Sequence, residues 1–296
     1  MTTSIYSRVT DAILAQIDTA DPASWICPWH RSAGSGLPTN ALTQRTYRGI
    51  NVLSLWCGAR LNGFATDQWA TYRQWTDFGA QVRRGETGTL VVFYKDIPAP
   101  SATRATSSGE AGCDDGRRFV AKASTVFNAA QVDNWTKPED TAPFDAVPNS
   151  YLEFDAFVAG TGATIRHGGD QAAYAPVPDE IRMPPRARFH STEGYTATLA
   201  HELIHWTGAK HRLNRDLSTR FGTKAYAAEE LVAEIGSAFV LASLNLSAEP
   251  HPNHAAYMAG WLPLLRSDPR ALFTTAARAS IAADYLRILT QHDPAR

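Results

Sequence analysis

Apolar residues recur at helical spacing over 4–19, where Ile5, Val9, Ile13, Leu14 and Ile17 share one side. Residues 32–41, rich in Gly, Ser, Pro and Asn, predict a loop. The helical pattern returns from Gly49 to Leu61, with Ile50, Leu53 and Trp56 on the apolar side, and again from Thr71 to Phe78, with Thr71 as the cap. The β-branched and aromatic run from Thr89 to Lys95 predicts a strand, and 118–127 its hairpin partner. Between them, 98–116 reads as a flexible excursion. Prolines and acids over 136–148 predict a linker. A helix follows at 149–160, then short strands at 164–167 and 180–183 around an extended stretch from Ala173. Further helices are expected over Ser191–His205, Glu229–Leu244, His254–Leu265 and Pro269–Leu289. The pattern predicts an α+β chain in two units. Residues 1–135 form a mixed α/β domain, and residues 149–296 form a mainly helical domain with a small sheet.

Composition narrows the class. The 296 residues are 44% hydrophobic, enough for one large core or two ordinary ones. With 28 basic and 29 acidic side chains the formal charge is -1, so duplex binding driven by bulk charge is not expected. Nucleic-acid binding would have to rest on a local groove and on stacking. Cys27, Cys57 and Cys113 are sparse and odd in number, which argues against a disulfide scaffold and for a reducing compartment. No apolar run approaches the roughly 18 residues of a membrane span. No basic flank and apolar core follow Met1, so a secretory leader is not expected. A soluble cytoplasmic protein is the expectation. No heptad run or apolar stripe argues for a dimer, so a monomer is expected.

The chemistry concentrates in His201-Glu202-Leu203-Ile204-His205. Positions i and i+4 of a helix project to one side, so both imidazoles can hold one metal ion. Glu202 beside them is placed to act on water as a general base. Hydrolytic zinc sites take three protein ligands and keep a position open. The third ligand is sought in Glu229-Glu230-Leu231-Val232-Ala233-Glu234, since acids in a buried helix are costly unless paired or coordinated. Glu230 and Glu234 resemble the paired acids of gluzincin-like peptidases. There the first acid binds metal and the second holds a ligating histidine. On that resemblance Glu230 is assigned to the metal and Glu234 to orientation. Glu229 stays open as the alternative ligand, because its face carries Ala233 and Gly236, which would allow close helix contact. Zn2+ is the expected ion, with Mn2+ as the alternative. Tyr226 is placed either to donate to an oxyanion or to pack, and His211 adds to a basic segment.

The first 135 residues hold six of the eight tryptophans: Trp25, Trp29, Trp56, Trp69, Trp75 and Trp135. At least half are expected in a core. Arginines and amides are interleaved with the aromatics, so bases can stack while Arg and backbone N–H groups hold phosphates. Candidate DNA-contacting residues are Trp29, Tyr47, Arg48, Asn51, Tyr72, Arg73, Arg83, Arg84 and Lys95. Val82-Arg-Arg-Gly-Glu-Thr-Gly-Thr89 is a candidate phosphate-contacting turn. It lacks the Gly-Lys-Ser/Thr ending of a P-loop.

These residues also carry a family resemblance. Thr46-Tyr-Arg-Gly-Ile-Asn51, Trp69 with Thr71, the 82–89 turn and Val126-Phe-Asn-Ala-Ala-Gln131 resemble the N-terminal domain of ArdC-type plasmid antirestriction proteins, a domain also found in TraC-type conjugative primases. Thr198 to Gly208, Arg212-Leu-Asn-Arg215 and Glu229–Glu234 extend the resemblance through the second half. It implies a single-stranded DNA-binding domain followed by a zincin-like metallopeptidase domain, protecting incoming plasmid DNA from host restriction during conjugation. The implied partners are single-stranded DNA and a protein of the host restriction or DNA-processing machinery. A second reading stays open: a DNA-occluding protein whose metal site is structural or vestigial.

Overall fold

The computed structural model describes residues 4–18, 36–97, 111–114, 117–136, 150–217, 223–247 and 254–291. The first half runs α1 (Ile5–Asp18), β1 (Thr39–Asn40), α2 (Ile50–Asn62), β2 (Gln68–Thr71), α3 (Tyr72–Asp77), β3 (Gln81–Val82), β4 (Thr89–Ile97), β5 (Ala111–Asp114), β6 (Arg117–Asn128) and β7 (Val132–Asp133). Five of these strands make one sheet in the order β1-β2-β6-β4, with β5 also on β6. β4 and β6 pair antiparallel from Thr89 opposite Val126 to Ile97 opposite Arg118, the expected hairpin partnership. β5 lies inside the stretch read as a flexible excursion. β1, β2, β3 and β7 were not expected, and β1 falls within the expected loop.

Local chemistry explains the joints. Thr71 caps α3 by accepting from the Gln74 amide at 3.2 Å, and the Gln74 side chain returns to the Thr71 amide at 3.0 Å. Asn51 fastens α2 to β4. Its amide donates to Val92 O at 2.8 Å and accepts from Val92 N at 2.7 Å. Replacing Asn51 with Leu strands both buried backbone groups of Val92 and is expected to cost about 2–4 kcal/mol. A urea midpoint matching wild type would contradict that assignment.

The second half runs α4 (Ser150–Thr161), β8 (Thr164–His167), β9 (Ala173–Ala175), β10 (Glu180–Met183), α5 (Thr192–Thr207), α6 (Lys224–Ser243), α7 (His254–Ser267) and α8 (Ala271–Gln291). The three strands form a second sheet, β8-β10-β9, with β10 parallel to β8 and antiparallel to β9. β9 is therefore an edge. α6 starts earlier than the apolar pattern suggests, because the Thr223 hydroxyl caps it by accepting from the Tyr226 amide at 3.1 Å. The acidic cluster thus sits in the second turn and beyond, inside the packed part of the helix.

Both halves feed one apolar cluster. Trp56 of α2 meets Phe239 of α6 edge-on at 5.7 Å, and Tyr6 of α1 meets Phe273 of α8 at 4.7 Å. The Gly49 amide, in a left-handed turn (φ 55°), donates to Ser280 Oγ at 2.8 Å. Arg48 forms an ion pair with Asp284 of α8. α1 and α2 therefore pack directly on the C-terminal helices. The linker reading for 136–148 falls almost wholly outside the described residues. No helix among the described residues is long and apolar enough to cross a membrane.

Candidate metal centre and nucleic-acid face

α5 begins at a Ser191 cap and α6 lies against it. The contact is close because residue 236 is glycine: a Cβ there would meet Ile204 carbons at 2.9–3.1 Å. This approach carries the acids of α6 to the histidines of α5. His201 Nε2 and His205 Nε2 stand 3.1 Å apart. Glu230 presents Oε2 to His201 Nε2 at 3.4 Å and Oε1 to His205 Nε2 at 3.7 Å. One ligand atom from each of the three residues falls within 4.8 Å of the others, so they can hold a metal ion.

The donor spacing tests that fit. Tetrahedral bonds of about 2.0–2.2 Å give donor–donor edges of about 3.3–3.6 Å, and the separations here bracket that range. Buried Glu230 Oε2 also has no hydrogen-bond partner among the described residues. Two imidazole nitrogens facing each other at this distance need a proton or a cation between them. Burial would depress the His205 pKa, but the Glu229 and Glu230 carboxylates overcome it and raise it to about 10. Burial would raise Glu230, yet His201 and His205 hold it well below the carboxylate range.

Glu229, weighed as a third ligand, is differently engaged. Its Oε1 lies 3.3 Å from His205 Nδ1, on the far side of the ring from Glu230. The Arg215 guanidinium takes both its oxygens, Nη2 to Oε1 at 2.9 Å and Nε to Oε2 at 3.1 Å. Arg215 is anchored in turn on Ile204 O and Thr207 Oγ1. Toward His205, then, Glu229 makes an orienting contact. Glu234 lies buried one turn beyond Glu230 on α6. A cleft of about 320 Å³ opens over the group, bordered by Glu202, Tyr226 and the β9 residues Ala173 and Tyr174.

On the first half, Tyr72, Arg83 and Arg84 border a second cleft of about 570 Å³, together with Gln81, Glu86 and Phe127. The Tyr72 ring is half exposed, and its hydroxyl accepts from Gln81 Nε2 at 2.9 Å. Arg83 is partly spent on Glu86 and on Ala130 O, while exposed Arg73 and Arg84 make no ion pair among the described residues. The turn depends on Gly85 (φ 88°), where a side chain would be strained. Three other candidates do not join this face. Tyr47 is buried and accepts from Asn40 Nδ2. Asn51 is spent on Val92, and Arg48 on Asp284. Lys95 lies in β4 opposite Val120. Trp29 lies outside the described residues. Trp56, Trp69 and Trp75 are buried core residues, as expected of at least half of the set.

Comparison with known proteins agrees with this architecture. Residues 3–127 match the N-terminal domain of anti-restriction factor ArdC, and residues 152–278 match a zincin-like metallopeptidase. The crystal structure of the antirestriction ArdC protein from the R388 plasmid, in its metal-free form, matches with a TM-score of 0.76 at 39% identity over 98% of both chains. This chain belongs to the ArdC antirestriction family. The Mn(II)-bound structure of the R388 protein matches with a TM-score of 0.78 at 38% identity, over 98% of this chain and 100% of that one. The uncharacterized protein y4eC of Sinorhizobium fredii is 46% identical over 96% of this chain and 92% of its own length. DNA primase TraC of Escherichia coli is 36% identical over 97% of this chain, which spans 27% of the primase.

Within this ArdC-family fold, the sequence pattern alone did not reveal the second ring of contacts. Glu202 Oε2 accepts from the Tyr174 amide of β9 at 2.7 Å. The Tyr174 hydroxyl donates to Asp179 at 2.8 Å, and Arg212 forks onto Asp179. The hydrogen bonds from Arg212, and to a lesser degree from Tyr174, hold the Asp179 carboxyl down at about 2. His211 is exposed, 3.3 Å from Asp179 and outside the border of the metal cleft. The available signal was the spacing of Arg212 and Arg215, two cations just past the helix end, each of which meets an acid.

Proposed function

We propose that this protein binds single-stranded DNA through its first half and cuts a peptide bond at the α5–α6 site, protecting incoming plasmid DNA from host restriction in the cytoplasm. The observation that carries the peptidase reading is the convergence of His201, His205 and Glu230 in the cleft where Glu202 is held by the edge strand β9. The family's zincin-like domain supports it.

His201, His205 and Glu230 would hold the ion, Zn2+ by donor set and Mn2+ as the alternative. When bound, a divalent cation polarises a carbonyl oxygen and lowers the pKa of water. Glu202 does the proton work. With Oε2 fixed by the Tyr174 amide, Oε1 is left to take a proton from the attacking water and pass it to the leaving amine. Glu229 and Arg215 keep His205 presenting Nε2 to the centre, since Nδ1 is turned to the carboxylate. β9 has no strand partner on the side away from β10 among the described residues; its Tyr174 amide on that side is taken by Glu202, and the Tyr174 carbonyl is left for an extended peptide lying along it. That edge favours a protein substrate over a nucleic acid.

For DNA, Tyr72 offers a half-exposed ring beside Arg73 and Arg84, the pairing of base stacking with phosphate contact. In fluorescence anisotropy with a labelled single-stranded oligonucleotide, Tyr72→Ala is expected to weaken binding about tenfold. Arg84→Ala should weaken it across sequences and reduce the salt slope by about 0.7. Wild-type affinity in both variants would move the DNA site elsewhere.

A further inference from the structure

We propose that Arg212 is a positioning residue for Glu202, acting as a buckle that ties β9 to the end of α5. This rests on the peptidase reading of the site and adds to it how the base is held. β9 has three residues and, among the described residues, one partner strand. It is preceded by Gly168 and Gly169, where a side chain would meet nothing within 4 Å, and followed by Pro176 and the almost fully exposed Val177. Pairing with β10 alone leaves such an edge free to move away from the helix. Yet its Tyr174 amide must stay 2.7 Å from Glu202.

Arg212 supplies the missing restraint. Its side chain is 5% exposed. The guanidinium lies over the Trp206 ring at 3.8 Å, and Nε donates to Trp206 O at 2.6 Å. Trp206 directly follows the ligand candidate His205, so this end of the buckle is fixed to the helix of the site. The other end reaches the β9–β10 turn. Nη1 donates to Asp179 Oδ2 at 3.0 Å, and Nη2 reaches both Asp179 Oδ1 and Tyr174 Oη, the latter at 3.1 Å. Asp179 sits at φ 52° where the chain reverses into β10, a conformation an Asp tolerates better than most residues. Tyr174 is thus held at two points: its hydroxyl by the buckle and its amide at Glu202. Lysine cannot replace this planar fork, because it has no second nitrogen to span Asp179 and no plane to stack on Trp206.

The test is amide hydrogen exchange in the full chain, with and without Zn2+, for wild type, Arg212→Lys, Tyr174→Phe and Glu202→Ala. Exchange at Tyr174 should accelerate about tenfold or more in Arg212→Lys and Glu202→Ala. Tyr174→Phe, which removes only the hydroxyl link, should move it in the same direction. Amides of α6 should keep wild-type protection, and Zn2+ affinity should hold in Arg212→Lys. Where a peptide is cleaved, Arg212→Lys should lower kcat more than it alters KM. Unchanged Tyr174 exchange in both Arg212→Lys and Tyr174→Phe would overturn the proposal. So would loss of α6 protection in both, which would assign these residues to the fold in general. A wild type that cleaves no peptide would contradict the peptidase reading alone, since the exchange result does not depend on turnover.

Discussion

Glu230→Gln should abolish tight metal binding, whereas Glu229→Gln should only weaken it. Glu230 brings both carboxylate oxygens to the ring nitrogens of the two histidines. Removing its charge takes away one of three ligands and the counter-charge for a buried divalent ion. Glu229 touches the opposite nitrogen of His205 and is clasped by Arg215. Such outer contacts typically contribute about 10–100-fold in metal affinity, so Glu229→Gln should fall in that range and Glu230→Gln beyond it. Glutamine is preferred to alanine because it keeps the side-chain volume and one acceptor oxygen for the buried Arg215 guanidinium. Competition against a chromophoric chelator near neutral pH gives both affinities. The reverse order would make Glu229 the ligand.

Glu202→Gln should separate hydrolysis from binding. Glutamine keeps the shape and an oxygen for the Tyr174 amide, but it cannot carry a proton. Loss of a general base costs about 10²–10⁴ in rate, so peptide cleavage by the Zn2+-loaded protein should fall by that factor. Zn2+ and single-stranded DNA affinities should stay at wild-type values, since Glu202 is outside the ligand set and on the other half from Tyr72 and Arg84. Cleavage that survives would assign the base elsewhere. Equal loss of DNA binding would show that the two activities share one site.

The helix pair was legible because period 3.6 forces His201 and His205 onto one face and makes α6 apolar around its acids. The choice of Glu230 over Glu229 as third ligand rested on resemblance alone. Glu229 and Glu230 are neighbours about 100° apart on the helix, and both reach α5 across the narrow gap at Gly236. What separates them is Arg215, delivered by an irregular turn after Gly208 whose path no periodicity encodes. The same limit applies to β1, β3 and β7, each two residues long, too short to show alternation. Asn51 looked like surface chemistry because it is polar, and nothing local marked exposed Arg48 for an ion pair. Burial against Val92 and docking on Asp284 depend on partners 41 and 236 residues away. The capping of α3 by Thr71, in contrast, needs only Gln74 three residues on, and it was readable directly.

The coordination of a single bound ion bears most directly on the claim that α5 and α6 build a hydrolytic metal centre. Anomalous diffraction from crystals of the Zn2+-loaded full chain would locate it. The arrangement predicts an ion held by Nε2 of His201, Nε2 of His205 and the Glu230 carboxylate, with Glu229 remaining on His205 Nδ1 and Glu202 outside the ligand set. An ion bound through Glu229, or one held at any site that lacks either histidine, would contradict it.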